Sequence, residues 1–337
     1  MSHSRLISGL SLAAASALVL AGCASTPAEA EPDADAPAEQ ETVSFTWDRN
    51  VAGEDEDPEY EATTVEVPKN PQKIVAFEMA TVDTIAALGG EVAGAPVDSV
   101  PDYLQDALAQ DAFNAGTLFE ADLIEIEAQQ PDLIIVGGRS SGLYEDLSQI
   151  APTIDLGITG SYLETLERNV TFLGEVLGAE GEAETALADL EDGIAEAKEA
   201  TAAAGNGLAV MVSGGQLNAM APAAEGAGSA NVRGGLLYDV FGVEPVVEDV
   251  KSATHGEPVS FEFLLELDPD TLWVIDRDAA TGEAASAAQV LDNDIVKQTS
   301  ASTNDHIIYL DPVPWYIVYG GIETTQLLID DVLQIAE

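Results

Sequence analysis

The chain has 337 residues, which exceeds one average domain and favours about two domains. Apolar residues make up 46% of it, enough for a sizeable core, whereas 61 acidic residues against 11 basic ones leave a formal net charge of -50. A surface of this sign repels nucleic acid and excludes that class of partner. The acidity is typical of a solvated face, or of adaptation to high salt. The few cations are therefore the informative residues.

The first residues predict export. Arg5 precedes an apolar run from Leu6 to Leu20, and Ala21-Gly22-Cys23 follows. An apolar run of this length before small residues is typical of a secretory signal and is too short for a stable membrane span. We expect residues 1–22 to be a signal peptide, and residues 23–41, rich in Ala, Pro, Glu and Asp, to form a disordered acidic tether.

Cys23 is the single cysteine of the chain, so no intramolecular disulfide can form. Its place directly after Leu20-Ala21-Gly22 resembles the lipobox of bacterial lipoproteins. The resemblance implies that Cys23 carries lipid and anchors the protein to the outer face of the cytoplasmic membrane. Ordinary secretion with an incidental cysteine is the alternative.

The pattern that follows predicts alternating strands and helices. The expected elements of the first half are a hairpin over Thr42–Val67 around the acidic loop Gly53–Glu59, a buried strand over Gln72–Phe77, and a helix over Val82–Leu88 that Gly89 and Gly90 end.

A short motif occurs twice. Pro131-Asp132 precedes an apolar strand and then Arg139, and Pro269-Asp270 precedes a similar strand and then Arg277. Each copy follows an acidic helical segment, at residues 121–130 and 261–267 respectively. The repeat predicts two similar α/β lobes with one arginine after an equivalent strand in each.

Between the two copies, Leu163–Ala204 has apolar residues at helical spacing and no proline. At about 40 residues it exceeds the usual globular helix. It predicts a long, stiff helix between the lobes, and a break near Gly178–Gly181 stays open. The expected domains are an N-terminal lobe over 42–163, an inter-lobe helix over 164–204 and a C-terminal lobe over 205–337.

The C-terminal lobe is expected to hold the remaining elements. They are a strand over Leu208–Ser213, a glycine-rich loop over Gly214–Gly235 that contains Arg233, a helix beginning over Leu236–Phe241, a strand over Thr303–Leu310 that contains His306, a rigid turn over Asp311–Tyr316, and a helix over Glu323–Ala336. Thr254 and Gly256 flank His255, which places the imidazole on a tight, open turn.

The scarce cations, one histidine and one aromatic pair form a candidate site that attracts anions and could coordinate a metal: Arg139, Arg233, Arg277, His255, Trp315 and Tyr316. Each has a plainer interpretation. The arginines could be surface cations paired with carboxylates such as Asp276 or Asp278. His255 could be a hydrogen-bonding loop residue, and the two aromatic residues could belong to the core.

Six motifs follow one another in the second half: Val212-Ser213-Gly214-Gly215, Tyr238-Asp239-Val240-Phe241-Gly242-Val243, Thr254-His255-Gly256, Val259-Ser260-Phe261-Glu262, Val274-Ile275-Asp276-Arg277-Asp278, and Leu310-Asp311-Pro312 with Trp315-Tyr316. In order and spacing they resemble the iron-siderophore-binding lipoproteins of ABC importers, in particular the branch for enterochelin-type and petrobactin-type catecholates. The resemblance extends from about Ile74 to the C-terminus.

The resemblance implies an α/β fold of class III substrate-binding proteins: two Rossmann-like lobes joined by a long rigid helix, with ligand in the cleft at the carboxyl ends of strands. The family's three arginines, which converge on catecholate oxygens, match Arg139, Arg233 and Arg277. The histidine and tyrosine that complete the iron shell of a four-donor siderophore match His255 and Tyr316. Guanidinium suits paired anionic oxygens, and phenolate suits the hard ferric ion.

The implied function is that of a monomeric binding protein, not an enzyme, that has no intrinsic cofactor and passes a ferric siderophore to an ABC permease. One glutamate on each lobe docks that permease in the family. Glu262 matches in the C-terminal lobe, whereas Ile124 takes the N-terminal position and leaves Glu120 or Glu125 as candidates.

Other functions stay open. A hydroxamate siderophore, haem or a corrinoid is an alternative cargo, although three arginines favour anionic oxygens. Zinc or manganese capture is disfavoured because only His255 and His306 remain after processing. A lipid-anchored hydrolase is the rival class, but Ser213-Gly214-Gly215 lacks the first glycine of a nucleophile elbow.

Overall fold

The computed structural model describes residues 40–52, 59–222, 232–251, 253–282 and 286–336. The expected signal peptide, Cys23 and nearly all of the expected tether lie outside these residues. Among the described helices, none has both the length and the apolar character that crossing a bilayer requires.

The described chain begins with a two-stranded antiparallel ribbon of β1 (Thr42–Asn50) and β2 (Tyr60–Pro68). Alternate residues of β1 are buried, namely Val43, Phe45 and Trp47, which is the period expected of a strand with one covered face. The predicted hairpin is confirmed, and most of its acidic loop lies outside the described residues.

The first large sheet is wholly parallel, with strand order β5-β4-β3-β6-β7. Its strands are β3 (Ile74–Ala76), β4 (Val92–Ala95), β5 (Leu108–Asn114), β6 (Leu133–Val136) and β7 (Thr153–Asp155). The helices between them are α1 (Met79–Ala87), α2 (Leu123–Gln129) and α3 (Tyr144–Leu147). The central strands β3 and β6 are apolar and buried along their whole length, as expected for strands covered on both faces.

The predicted long helix consists of two helices, α4 (Tyr162–Leu177) and α5 (Glu180–Ala203). Gly178 ends α4 in the left-handed conformation at φ 67°, and its N–H donates to the carbonyl of Gly174. Glycine adopts this conformation without the steric cost of a Cβ atom. The break that the sequence left open therefore exists, and the expected lobe boundaries stay a prediction.

The second large sheet is mixed, with strand order β11-β9-β8-β12-β13, and β10 pairs with the start of β8. Its strands are β8 (Asn206–Ser213), β9 (Gln216–Ala219), β10 (Glu244–Pro245), β11 (Glu257–Pro258), β12 (Thr271–Asp276) and β13 (Ile307–Leu310). The helices are α6 (Val232–Asp239), α7 (Phe261–Leu267), α8 (Arg277–Thr281), α9 (Ala287–Leu291), α10 (Ser300–Thr303) and α11 (Ile322–Leu333). Strands β8, β12 and β13 are parallel, as in the first sheet.

Arg233 lies in helix α6 and not in a glycine-rich loop, so this prediction was wrong. The many glycines suggested a loop, but Gly234 is needed for close packing in a helix. A Cβ atom at this position would lie 2.2 Å from the Cβ of Met220. Residues 223–231 of the expected loop lie outside the described part. Helix α6 ends at Asp239, so Leu236–Phe241 closes this helix and does not begin one.

The expected rigid turn over Asp311–Tyr316 is also wrong, because Val313–Val318 forms a short π-helix. Pro312 and Pro314 do not prevent it, since proline is tolerated at the first positions of a helix. The Asp311 carboxylate accepts a hydrogen bond from the N–H of Val313, the first residue of the segment, at 3.0 Å. His306 immediately precedes β13 and does not lie within the strand.

Candidate functional site

Five predicted site residues meet between the two large sheets. Arg139 follows β6 and Arg277 follows β12, so both lie at the carboxyl ends of parallel strands, where open α/β sheets bind ligands. Arg233 comes from the first turn of α6, and Tyr316 comes from the π-helix. His255 lies on the predicted turn, which Gly256 completes at φ 79°.

Tyr316 is the centre of the site and is only 8% exposed. Its hydroxyl oxygen accepts a hydrogen bond from Nε of Arg277 at 3.0 Å and lies 3.2 Å from Nε2 of His255. Because Arg277 donates to the oxygen, the phenol hydrogen can be donated to the imidazole. The guanidinium carbon of Arg233 lies 4.6 Å from the ring centroid of Tyr316 and that of Arg277 lies 5.6 Å away, both within cation–π range.

The π-helix also binds arginines through its backbone. Arg139 donates to the carbonyl oxygens of Ile317 at 3.0 Å and Tyr316 at 3.1 Å, and Nε of Arg233 donates to the Tyr316 carbonyl at 3.2 Å. Single π-helical turns are rare and are frequent at functional sites. Here the segment brings together, at one tyrosine, Arg139 and Arg277 from the strand ends of the two large sheets and Arg233 from α6.

The charges of the site influence one another. Burial, and then the neighbouring Arg139, lower the pKa of Arg233 from its usual value. Partial burial and the positive charges of Arg277 and Arg233 lower the pKa of His255. The lowered pKa favours the neutral imidazole, whose ring can offer a nitrogen lone pair.

The plainer interpretation of Arg277 as a surface cation paired with a carboxylate holds in part, because Arg277 forms an ion pair with Asp278 although its side chain is only 20% exposed. Its Nη1 lies 3.8 Å from Asp278, but that buried carboxylate accepts the N–H groups of Gly214 at 2.7 Å and Gly215 at 2.8 Å. Asp276 instead accepts backbone N–H groups at the starts of α8 and α9. Both carboxylates thus organise the backbone around Arg277. Trp315 is fully buried, so the plainer interpretation holds for it.

Two residues of the site were missed by sequence reasoning, Glu78 and Tyr319. Tyr319 presents its ring to the guanidinium groups of Arg233 at 4.7 Å and Arg139 at 5.5 Å. Glu78 caps the N-terminus of α1 and is 7% exposed, and burial raises its pKa to about 7 against the lowering effect of Arg139. Two features of the sequence could have indicated these residues. Glu78 directly follows a predicted strand, and Tyr319 is a second tyrosine three residues after Tyr316.

The expected docking residues lie on the surface of the two lobes. Ile124 and Glu262 are the second residues of α2 and α7, and both are exposed. Glu120 is exposed in the loop before α2, whereas Glu125 is half-buried and accepts a hydrogen bond from Gln129 at 2.8 Å. Their role in docking stays a prediction, as do the ligand-binding roles of the arginines, His255 and Tyr316.

Two α/β sheets whose strand ends bring Arg139 and Arg277 to one tyrosine are the arrangement expected of a solute-binding protein of the periplasmic type. Residues 74–314 match the family model described as periplasmic binding protein, and the chain belongs to that family. The resemblance recognised in the sequence and the fold class that it implied are therefore confirmed.

No group of three or more His, Cys, Asp or Glu residues that could hold a metal ion occurs in the described part of the chain.

Two of the similar proteins are siderophore-binding proteins, and the name of a third states no ligand. The chain is 35% identical over 327 residues to the petrobactin-binding protein YclQ of Bacillus subtilis, with 96% of each chain covered. It is 68% identical to a TroA-like periplasmic binding protein from Xylanimonas cellulosilytica, with a TM-score of 0.83 over 88% of this chain and 99% of that one. The catecholate-siderophore binding protein VctP from Vibrio cholerae is 30% identical, with a TM-score of 0.74 over 87% of this chain and 100% of that one.

Proposed function

We propose that this protein captures an anionic ferric siderophore of the catecholate type outside the membrane and delivers it to an ABC permease. The observation that carries the proposal is the convergence of Arg139, Arg233 and Arg277 on Tyr316. A ferric tris-catecholate is a trianion, and three permanently charged guanidinium groups match that charge in a chain that is otherwise strongly acidic. The petrobactin-binding and catecholate-binding relatives support the same ligand class.

His255 and Tyr316 are the proposed protein ligands of iron when the siderophore supplies four donors. Two adjacent ligands of an octahedral ion with bonds of about 2.1 Å lie about 3 Å apart. The separation between Nε2 of His255 and the Tyr316 hydroxyl is 3.2 Å, so a small shift suffices to place both on one ion. His255 and Tyr316 would thus bind an iron ion that enters the site together with the siderophore.

Delivery requires an anchor and a docking surface. We assign the anchor to lipid on Cys23, which would hold a monomeric protein on the outer face of the cytoplasmic membrane. Glu262 is the proposed contact of the C-terminal lobe with the permease. On the N-terminal lobe we favour Glu120 over Glu125, because Glu120 is exposed and Glu125 already accepts the Gln129 side chain.

A tryptophan-fluorescence titration of the full-length protein in detergent, at high salt, tests the ligand class. The probes are ferric enterochelin with six donors, a ferric bis-catecholate with four, and a ferric hydroxamate. We expect tight quenching by the two catecholates. Quenching by the hydroxamate alone, or by none of the three, would contradict the proposal.

Arginine variants test the site within the same assay. Arg139→Ala and Arg277→Ala should each weaken binding of ferric enterochelin by about 2–5 kcal/mol, as for the loss of one partner of a buried charge pair. Lys297→Ala is the charge-matched control, because this lysine is 58% exposed and pairs with Asp292 on the surface. If neither arginine change weakens binding more than the control does, the arginines do not hold the ligand.

A further inference from the structure

Glu78 places a carboxylate directly beneath the turn that carries Arg139. Its Oε2 lies 3.1 Å from the point that a Cβ atom would occupy on Gly137, and equally 3.1 Å from that point on Gly138. The hydroxyl of Tyr319 lies 3.3 Å from the same point on Gly138. Any side chain at these glycines would therefore meet the carboxylate, which reaches the interior side of the arginine site.

The groups that face this carboxylate come from four other elements. Arg139 after β6 and Arg233 in α6 favour its ionised form, whereas Asp155 at the end of β7 and burial favour the protonated form. Tyr319 faces it from the chain before α11, and its own pKa is raised by burial. Together these effects leave the pKa of Glu78 at about 7, so the group is about half protonated at neutral pH.

One backbone hydrogen bond also favours the ionised form of Glu78. The carboxylate accepts a long hydrogen bond of 3.5 Å from the N–H of Ala80. Glu78 and Tyr162 both line a cavity of about 30 Å³, but the Tyr162 hydroxyl pairs with that of Thr325 at 2.7 Å. The ionised form of Glu78 is thus favoured most by Arg139, next by the N–H of Ala80, and less by Arg233.

We propose that Glu78 is a positioning residue of the arginine site and takes up one proton when an anionic ligand binds. In the free protein its carboxylate offsets the mutual repulsion of Arg139 and Arg233. An anion at the same guanidinium groups cancels their field and removes water, so the carboxylate accepts a proton from solvent and becomes the neutral acid. This inference rests on the proposed function, since it needs an anionic ligand at the arginines.

The proposal fixes the direction of the pH dependence. Binding raises the pKa of Glu78 above its value of about 7 in the free protein. Affinity must therefore fall as pH rises from about 6 to 8.5, by up to about tenfold for each pKa unit gained. Proton uptake should be small at pH 6, where the free group is already mostly protonated, and should reach several tenths of a proton at pH 8.

Isothermal titration calorimetry of the full-length protein in detergent measures this uptake directly. Ferric enterochelin is titrated at pH 8 in phosphate and in Tris, whose heats of ionisation differ. We expect an uptake of several tenths of a proton in the wild type. Glu78→Gln should bind without uptake and with an affinity that no longer falls between pH 6 and 8.5.

A histidine variant assigns the proton. His255 also faces Arg277 and Arg233, and a bound anion would raise its pKa as well. Uptake that persists in His255→Gln supports Glu78, whereas uptake that is lost there overturns the assignment. If Glu78→Gln does not fold, the wild type still decides, because equal heats in the two buffers at pH 8 refute the proposal.

The two proposals can fail separately. Binding of ferric enterochelin without any proton uptake refutes only the role of Glu78. No binding at any pH refutes the proposed function and this inference together.

Discussion

Removing one oxygen atom in Tyr316→Phe separates two properties of the site. The ring stays, so the contacts with Arg233 at 4.6 Å and Arg277 at 5.6 Å are retained. The hydrogen bond from Arg277 at 3.0 Å and the pairing with His255 at 3.2 Å are lost. The variant therefore probes the hydroxyl alone.

The cost in stability follows from these two contacts. A hydrogen bond to a charged group contributes about 1.5–3 kcal/mol when buried, and a neutral one about 0.5–1.5 kcal/mol. The Arg277 side chain is 20% exposed and His255 is exposed, so water can replace part of what is lost. We expect the free energy of unfolding to fall by about 1–2 kcal/mol.

The effect on ligands should depend on their donor number. A six-donor ferric catecholate saturates its own iron, and its affinity should stay within about threefold of the wild type. A four-donor complex loses an oxygen ligand and should bind at least tenfold more weakly, which corresponds to about 1.4 kcal/mol. Its visible charge-transfer band should also shift.

Fluorescence and absorption titrations of both complexes measure this difference. Tyr103→Phe is the matched control, because it removes a hydroxyl that bonds Thr324 at 2.7 Å, away from the arginines. The control should lose some stability and no affinity. An unchanged band and affinity for the four-donor complex in Tyr316→Phe would remove this residue from the iron shell.

The remaining predictions concern buried carboxylates. Asp278→Asn replaces one of the two oxygens that accept the N–H groups of Gly214 and Gly215 with an NH₂ donor. We expect the free energy of unfolding to fall by about 2–4 kcal/mol and ferric enterochelin to bind more weakly. An unchanged melting temperature would contradict this expectation. Burial raises the pKa of Asp83 and of Asp331 from 3.8 to about 6 in the folded state. Their contribution is fully present below the unfolded pKa of 3.8 and is lost as pH rises through about 6, so the melting temperature should fall between about pH 4 and 7. At 1 M salt the Debye length is about 3 Å, so repulsion between surface charges is screened. The melting temperature should still fall with rising pH under these conditions. If that fall disappears completely, the surface charge and not the buried carboxylates causes it.

Much of the scaffold was predictable because its signals are local. The Pro-Asp motifs and apolar runs at 131–139 and 269–277 mark short buried strands, and those strands are β6 and β12. A turn around His255 followed from its neighbours, since Gly256 adopts a positive φ. The sequence could also restrict the candidate cations, because arginine and lysine are scarce in this chain.

Local signals were misleading where packing determined the backbone. The glycines around Arg233 indicated a loop, but Gly234 is required by the close approach of α6 to Met220. Pro312 and Pro314 indicated a turn, but proline is also tolerated at the start of a helix, where these two residues lie. In both cases the residue type was compatible with two conformations, and contacts with distant residues selected one.

The sequence by itself determined the α/β class, the paired strands and the arginines that follow them, because each depends on residues only a few positions apart. Only the tertiary structure placed Glu78 and Tyr319 against those arginines. Glu78 follows β3 and Tyr319 precedes α11, so their proximity depends on the packing of distant segments. The charge balance of the site arises from that packing, since burial and the field of neighbouring groups, not residue type, set the pKa of a carboxylate.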